Sequence, residues 1–307
     1  MITAQNLRKV YGNKAAVDGL SFEVRPGAVT GFLGPNGAGK STTMRLMLDL
    51  DRGGGETLFD GRRFRQIHHP LREIGSVLEA KAFHPTRSAR NHLRMLAAAN
   101  DIPTERCDEV LELVGLTQVA KGKPKSFSLG MGQRLGLAAA LLGDPHTLIL
   151  DEPANGLDPQ GIHWLRDFLK SFAASGRTVF VSSHLLSEMA LMADELVVIG
   201  RGRMIDSGPV QQFVERFSTV QVVVRSPRLA ELVELLRGPG VADQPSGDGA
   251  AILDGVTREQ VGDLAAAHGI ALHELSTRTA SLEQAFLEAT GAASEYRASG
   301  GDEVVRS

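Results

Sequence analysis

The amino-acid sequence predicts an α/β protein that carries a helical insertion and ends in a small α+β domain. Over the first 215 residues, short apolar segments typical of buried strands alternate with segments of helical periodicity. Such alternation implies a largely parallel sheet covered by helices. Residues 85–142 interrupt the alternation with helical periodicity alone. After residue 215 the strands and helices become shorter.

The elements before the insertion follow from apolar runs and from the turns between them. Turns at residues 11–13 and 25–27 separate short strands within the first 24 residues. The glycine-rich stretch 52–56 is interpreted as a plain loop. The other predicted elements here are a buried strand at 29–33, a helix at 41–50 and a short strand at 74–78.

The insertion and the segments after it are assigned by the same patterns. Apolar residues at three- and four-residue spacing predict the helices of the insertion at 91–99, 107–114 and 135–142. Beyond it, strands are predicted at 147–150, 179–182 and 196–199, with helices at 161–175 and 185–193.

The last part of the chain is predicted to be a separate α+β domain at residues 216–290. A loop rich in glycine, proline and aspartate occupies residues 238–249. From residue 291 onwards a disordered tail is expected. The predicted strands lie at 220–224, 251–253 and 272–275, and the predicted helices at 228–236, 258–267 and 282–289.

Composition limits the classes of function. The net charge of -3 over 307 residues provides no basic surface for nucleic acid. The single cysteine, Cys107, permits no internal disulfide, which suits a reducing cytosol. The first residues lack the basic-then-apolar pattern of a signal peptide, and no stretch approaches the roughly 20 apolar residues of a membrane helix. A role at a membrane would therefore require a partner.

A glycine-rich loop after the strand at 29–33 matches the spacing G-x-x-x-x-G-K-[ST]. Glycines let successive main-chain N–H groups point at phosphates, the lysine reaches the β- and γ-phosphates, and the final hydroxyl suits Mg²⁺. The alternative is a chance match in a turn, against which the preceding strand and following helix argue. The predicted phosphate-binding residues are Gly34, Pro35, Asn36, Gly37, Ala38, Gly39, Lys40, Ser41 and the adjacent Thr42.

Two carboxylates, Asp151 and Glu152, end the apolar strand at 147–150. An aspartate at this end of a strand can supply an oxygen ligand to Mg²⁺ beside the phosphate loop. Glu152 is then placed to polarise a water for in-line attack. The alternative is a strand that ends in a solvated turn.

A third motif narrows the class. Residues 127–134, Phe-Ser-Leu-Gly-Met-Gly-Gln-Arg, resemble the signature motif of ABC ATPases, Leu-Ser-Gly-Gly-Gln and its extension. Residues 154–159 resemble the D-loop of that family, His184 its switch histidine, and Tyr11 the aromatic residue that stacks on adenine. The resemblance covers about residues 1–215. It implies a RecA-like P-loop core with an antiparallel β subdomain and an inserted helical subdomain, which binds ATP with Mg²⁺.

The resemblance also implies a homodimer. A serine hydroxyl and a glycine N–H at a helix N-terminus form an anion site. In the family, the residues that match Ser128 and Gly130 hold the γ-phosphate of the nucleotide bound by the opposite subunit. The histidine that matches His184 bonds the γ-phosphate and orders the water and Glu152. The resemblance also implies that Asp158 of the D-loop is a nucleotide-binding residue. The alternative for His184 is an ordinary surface residue or a packed core residue, and the alternative for Tyr11 is a packing role in a turn.

Three positions depart from the common family pattern. Leu129 replaces the first signature glycine, Met131 replaces its glutamine, and Glu79 stands where a strand usually ends in glutamine. Glu79 is a candidate contact for Mg²⁺ or its water, or a solvated loop residue. These changes resemble the branch of bacitracin and antibiotic-resistance exporter ATPases, which pair with separate ABC-2 type permeases. Residues 281–288 resemble part of the accessory domains found after such ATPases. This segment is interpreted either as a dimer or regulatory contact or as a plain amphipathic helix.

The expected function is therefore that of a cytoplasmic ATPase held on the inner face of the membrane by a permease, with no nucleic-acid partner. One alternative is a soluble ABC ATPase acting on the ribosome or on DNA. The single cassette, compact insertion and slightly acidic balance argue against it. An importer ATPase is the other alternative, against which only the resemblance to the exporter branch argues.

Overall fold

The structure is a computed structural model of the 307-residue chain. It describes residues 1–79, 83–84, 86–217, 221–238, 241–245, 249–278 and 282–291. The chain divides into two compact units. The first contains Met1–Val210 together with Thr290, and the second contains Gln211–Ala289. The tail predicted to be disordered lies outside the described residues from residue 292 onwards.

The first unit contains ten strands and seven α-helices among its described residues. The strands are β1 (Ile2–Tyr11), β2 (Lys14–Val24), β3 (Val29–Leu33), β4 (Gly54–Phe59), β5 (Arg62–Arg63), β6 (Ile74–Val77), β7 (Thr147–Leu150), β8 (Thr178–Ser182), β9 (Glu195–Gly200) and β10 (Arg203–Pro209). The helices are α1 (Lys40–Met47), α2 (Pro70–Glu73), α3 (Ala89–Ala99), α4 (Arg106–Leu113), α5 (Leu129–Leu141), α6 (Pro159–Ala174) and α7 (Leu186–Met192).

A six-stranded sheet in the order β10-β9-β3-β8-β7-β6 forms the centre of this unit. All pairings except β10 with β9 are parallel. Every residue of β3, β7 and β8 is buried, which explains their mainly apolar sequences. Because the strands are parallel, the segments that follow these three strands emerge at the same edge of the sheet.

A second sheet, in the order β2-β1-β4-β5, is wholly antiparallel, which confirms the predicted antiparallel subdomain. The aromatic rings of Phe22, Phe32 and Phe180 join the two sheets, with centroids 4.9 to 5.9 Å apart. The interpretation of residues 52–56 as a plain loop was wrong from Gly54 onwards. There β1 is irregular, and a Cβ on Gly55 would lie 2.3 Å from the Asn6 carbonyl oxygen, so only glycine allows the pairing.

The helical insertion consists of α3, α4 and α5 between β6 and β7. The helix α5 begins at Leu129, well before the predicted start at 135. Ser128 caps it, because its hydroxyl accepts a hydrogen bond from the Met131 N–H at 3.2 Å. The glycines in its first turns hid this start from the apolar periodicity. None of the described helices combines the length and apolar character that a bilayer crossing requires.

The second unit folds around its own core. Its strands are β11 (Gln221–Arg225), β12 (Ala242–Pro245), β13 (Ala250–Asp254) and β14 (Glu274–Arg278). Its helices are α9 (Leu229–Leu236) and α10 (Arg258–Ala267), with all but the end residues of α8 (Val210–Phe217) and α11 (Leu282–Gly291). The antiparallel order β12-β13-β11-β14 with α9 and α10 as crossovers is a split βαβ arrangement. The loop predicted at 238–249 was wrong over β12. This is an edge strand, where proline is tolerated.

The contact between α5 and β6 predicts a difference between two glycines. A Cβ on Gly75 would lie 2.2 Å from the Ala140 carbonyl oxygen, whereas one on Gly136 would meet only Val77, at 3.4 Å. Gly75→Ala should therefore destabilise the protein by about 1–3 kcal/mol. Gly136→Ala should leave stability unchanged or raise it by up to about 1 kcal/mol, because alanine favours helices. Thermal unfolding checks this, and equal midpoints for both variants would contradict the packing.

Candidate nucleotide site

The phosphate loop runs from the end of β3 into α1 and depends on its glycines. Gly39 has φ +105°, and a Cβ there would lie 2.3 Å from the carbonyl oxygen of Ala16. Gly37 also has a positive φ, of +79°. A Cβ on Gly34 would lie 2.7 Å from the carbonyl oxygen of Ile199. The backbone therefore needs glycine at all three positions, for conformation or for close approach.

Lys40 is buried at the start of α1. Its ammonium group donates to the carbonyl oxygen of Gly34 at 2.6 Å and lies 3.4 Å from that of Pro35. Burial lowers the pKa of Lys40 below its usual range, although Glu152 and Asp151 act in the opposite direction. A desolvated cation of this kind at a helix N-terminus favours an anionic ligand such as a phosphate.

A cavity of about 280 Å³, called here the phosphate pocket, brings the loop and the acidic pair together. Asp151 and Glu152 follow β7, two strands from β3, and the parallel register places both ends at one edge. The pocket is lined by Ala16, Asn36, Gly37, Gly39, Lys40, Ser41, Thr42, Asp151 and Glu152. The predicted loop residues Gly34, Pro35 and Ala38 shape the loop without lining the pocket.

The acidic pair is held by a residue that sequence reasoning missed. The hydroxyl of Ser182 donates to a carboxylate oxygen of Asp151, and the N–H of Glu152 donates to the same hydroxyl at 3.0 Å. Ser182 ends β8, which pairs with β7. A serine that ends an apolar strand was the available signal, but only the strand order shows which carboxylates it meets.

Glu152 has a backbone conformation that is rare for its residue type. Its φ is +50°, and the left-handed region costs a non-glycine residue about 1–2 kcal/mol. One oxygen of its carboxylate accepts the N–H of His184 at 3.2 Å and lies 2.6 Å from Nδ1 of the same residue. The structure thus brings together the two residues predicted to be catalytic, and the strained backbone directs the Glu152 side chain towards His184.

The residues present fit a magnesium ion. Ser41 and Asp151 both line the phosphate pocket, and hydroxyl and carboxylate oxygens are the hard donors that Mg²⁺ prefers. Mg²⁺ is usually held by one or two carboxylates together with substrate phosphates. A pocket with one lysine, two hydroxyl side chains and two carboxylates, of which Asp151 is held by Ser182, matches that pattern.

The predicted signature residues lie in a different cavity, of about 320 Å³, called here the signature pocket. Gly130 is packed closely there, since a Cβ on it would lie 2.5 Å from the Gly156 carbonyl oxygen. Asp158 caps α6 by accepting the N–H of Gly161 at 2.9 Å. The pocket is lined by Gly115, Leu116, Ser128, Gly130, Met131, Arg134, Gly156, Leu157 and Asp158, none of which lines the phosphate pocket.

Tyr11 and Glu79 line neither pocket. The hydroxyl of Tyr11 donates to Asp51 at 3.2 Å, and 52% of the residue is exposed. Glu79 has 73% of its side chain exposed and lies 3.9 Å from Arg45, which also pairs with Asp51. The predicted contacts of Tyr11 with adenine and of Glu79 with the metal therefore stay predictions.

The chain is similar to known proteins of one family. The family model described as ABC transporter matches residues 17–155. An ABC transporter ATP-binding protein of Bacillus subtilis, YhcH, is 38% identical over 96% of this chain and 97% of its own length. The chain belongs to the family of ABC transporter ATP-binding proteins. The predicted family and its P-loop fold are thereby confirmed, and the chain is an ABC ATPase.

Two further relatives and one solved structure support this membership. The bacitracin transport ATP-binding protein BcrA of Bacillus licheniformis is 41% identical over 70% of this chain and 72% of its own. The linearmycin resistance ATP-binding protein LnrL of Bacillus subtilis is 33% identical over 95% of this chain and 98% of its own length. A solved structure of an ATP-binding subunit of an ABC transporter is 27% identical and has a TM-score of 0.64. The match spans 71% of this chain and 93% of the solved chain.

Other comparisons concern the fold and the C-terminal unit. A bacterial ABC transporter cassette solved as a dimer is 22% identical, with a TM-score of 0.63. The match spans 68% of this ABC ATPase and 98% of the cassette. At this identity the cassette shows the fold alone. Residues 220–283 match a family model described as a domain of unknown function.

The position of Lys40 predicts a specific loss of binding. Lys40→Ala should weaken ATP binding by about a hundredfold or more, because the charged donor within the loop is lost. An ATP titration of the purified variant measures this. Lys170→Ala, at an exposed position on α6, is the matched control and should bind normally. Equal affinity for the Lys40 variant and the control would contradict the role of Lys40.

Proposed function

We propose that this ABC ATPase is the energy-coupling subunit of an exporter that moves an antibiotic-like or lipid-like small molecule through a separate ABC-2 type permease. The observation that carries the proposal is that one chain presents two pockets, each with half of the expected ligands. The phosphate pocket holds Lys40 and the acidic pair, and the signature pocket holds Ser128 and Gly130.

The separation of the pockets supports a head-to-tail homodimer. The two sets of lining residues do not overlap. A γ-phosphate on Lys40 would need Ser128 and Gly130 from a second chain. In a two-fold dimer the same contact occurs twice, so both phosphate pockets are completed together. A related cassette solved as a dimer is consistent with this assembly.

The residues of one chain then have distinct roles in hydrolysis. Lys40 and the loop N–H groups bind the β- and γ-phosphates, and Ser41 and Asp151 would hold Mg²⁺. When bound, Mg²⁺ neutralises charge on the phosphate oxygens. Glu152 accepts the proton of the attacking water. His184, 2.6 Å from the Glu152 carboxylate, keeps that carboxylate in place.

The partner chain supplies the remaining groups. The Ser128 hydroxyl and the Gly130 N–H lie at the start of α5, where the helix N-terminus favours the anionic γ-phosphate. Closure of the dimer on ATP excludes water from the phosphates, and hydrolysis allows it to reopen. A permease bound to the ATPase would convert this movement into transport.

The exporter assignment rests on relatives and on sequence. Relatives are named for bacitracin transport, lantibiotic transport and linearmycin resistance. Leu129, Met131 and Glu79 are the departures that resemble the same branch. The chain would lie in the cytoplasm, on the inner face of the membrane, through its permease. The transported compound is selected by the permease.

The proposal also includes roles for Tyr11, for Glu79 and for the two domains of the chain. Tyr11 would stack on adenine, and Glu79 would contact Mg²⁺ or its water. Residues 1–215 would form the ATPase domain, and residues 216–290 an accessory domain with a regulatory or dimer contact. The independent core of the second unit, which contains Val222, Leu232 and Leu253, supports such a domain.

The proposed base predicts a trapped intermediate. Glu152→Gln should lower turnover by about a hundredfold or more, because amides do not accept the proton, while ATP binding is retained. Size-exclusion chromatography with ATP should then show a stable dimer. Glu112→Gln, an exposed position on α4, is the matched control. Unchanged turnover in Glu152→Gln would refute its role as the base.

The completion of each site by a second chain predicts the effect of Ser128→Arg. The arginine side chain would fill the signature pocket and prevent dimer closure, so hydrolysis should be lost. Binding of ATP to the monomer should persist, since the phosphate pocket is untouched. Ser171→Arg on α6 introduces the same residue at an exposed position as the control. Normal ATPase activity in Ser128→Arg would exclude the two-pocket assembly.

A further inference from the structure

A buried glutamine connects the signature helix to the acidic pair. Gln133 lies on α5, about one turn after Ser128 and Gly130, and only 6% of it is exposed. Its side-chain nitrogen donates to the main-chain carbonyl oxygen of Glu152 at 3.0 Å. A carbonyl oxygen only accepts hydrogen bonds, so the NH₂ end of the amide must face Glu152.

This contact is made at the residue whose backbone is strained. Glu152 has φ +50°, and its N–H is held by Ser182 at 3.0 Å. Its carbonyl accepts the N–H of Asn155 at 3.2 Å as well as the amide of Gln133. The Asn155 contact closes a local turn, whereas the Gln133 contact fixes that turn against α5. Because φ and ψ set the direction of the side chain, holding the carbonyl also holds the carboxylate.

The other end of the amide points to a role other than stability. Within the described part of the chain, the side-chain oxygen of Gln133 is buried without a hydrogen-bond partner. A buried unsatisfied acceptor destabilises the folded state, and an apolar side chain of similar size would avoid this. A glutamine at this position therefore provides one useful donor at the expense of stability.

Two further contacts join α5 to the segment that follows Glu152. Leu129 lies so close to Gly156 that a Cβ on that glycine would be 2.5 Å from the leucine side chain. Arg134 lies 3.8 Å from the carboxylate of Asp158. The first half of α5 thus contacts the start of this segment at Glu152, its middle at Gly156 and its end at Asp158. Gln133 makes the contact at Glu152.

We infer that Gln133 is a positioning residue that sets the Glu152 carboxylate according to the position of α5. The inference rests on the proposed role of Glu152 as the base. In the proposed dimer the N-terminus of α5 receives the nucleotide held by the partner chain, so the amide would link that nucleotide to the base of the chain's own site. Gln133 itself touches neither phosphate nor water in this role.

Replacement by an apolar residue of similar length separates positioning from folding. Gln133→Met should lower kcat about tenfold to a hundredfold, because the base is no longer held. The KM for ATP should stay within about twofold, since the phosphate loop is untouched. The midpoint of thermal unfolding should be equal or higher, because the unpaired oxygen is removed. ATPase assays with Mg²⁺ and thermal unfolding on the full chain measure all three.

Two comparisons decide the outcome. Gln118→Met makes the same change at an exposed position of the insertion and should alter none of the three values. Gln133→Met added to Glu152→Gln should slow the remaining hydrolysis no further, because both act on one group. An unchanged kcat in Gln133→Met, a fall in kcat matched by a loss of stability, or full additivity with Glu152→Gln would each overturn the inference.

The test also separates this inference from the proposal on which it depends. If Glu152→Gln retains turnover, Glu152 is not the base and the inference falls with it. If Glu152→Gln loses turnover while Gln133→Met retains it, the base stands and only the role of Gln133 is wrong.

Discussion

The parallel register of β3, β7 and β8 is the constraint on which the site depends. These strands are adjacent or separated by one strand, and their carboxyl ends meet at one edge. The phosphate loop, the acidic pair and the segment with His184 each follow one of them. Lys40, Asp151 and Glu152 are thereby brought to one pocket from distant parts of the chain. Every residue of the three strands is buried, so the sheet beneath this edge belongs to the core.

The same edge holds only part of the proposed site. The phosphate pocket is lined by Lys40, by Ser41 and by the carboxylates of Asp151 and Glu152, but by none of the signature residues. The signature residues belong to the insertion, at the N-terminus of α5, and line their own pocket. In the proposed dimer, a chain that binds ATP alone lacks the second anion site, and hydrolysis would require a second copy. Contacts from α5 to Glu152 and Asp158 provide a physical route between the two pockets.

Sequence reasoning predicted what is locally encoded and missed what depends on tertiary contact. The loop from Gly34 to Ser41 was predictable, because its glycine spacing directly reflects positive φ angles and close backbone approach. The strand β4 was missed, because its glycines are typical of a loop. Gly55 is instead required by an irregularity in the neighbouring strand β1. The early start of α5 was missed, because its first turns contain glycines and a serine cap in place of apolar residues. Ser182 and Gln133 acquire roles only when strand order and helix packing bring them to the acidic pair.

Complementation between two inactive variants tests the shared site most directly. Lys40→Ala disables the phosphate pocket of its chain, and Ser128→Arg disables the signature pocket of its own, so each homodimer has two defective sites. In a mixed dimer, the intact phosphate pocket of the Ser128→Arg chain meets the intact signature pocket of the Lys40→Ala chain. If each site is shared between chains, mixing the two variants should restore ATP hydrolysis that neither shows alone. A mixture that forms dimers but stays inactive would contradict the shared site.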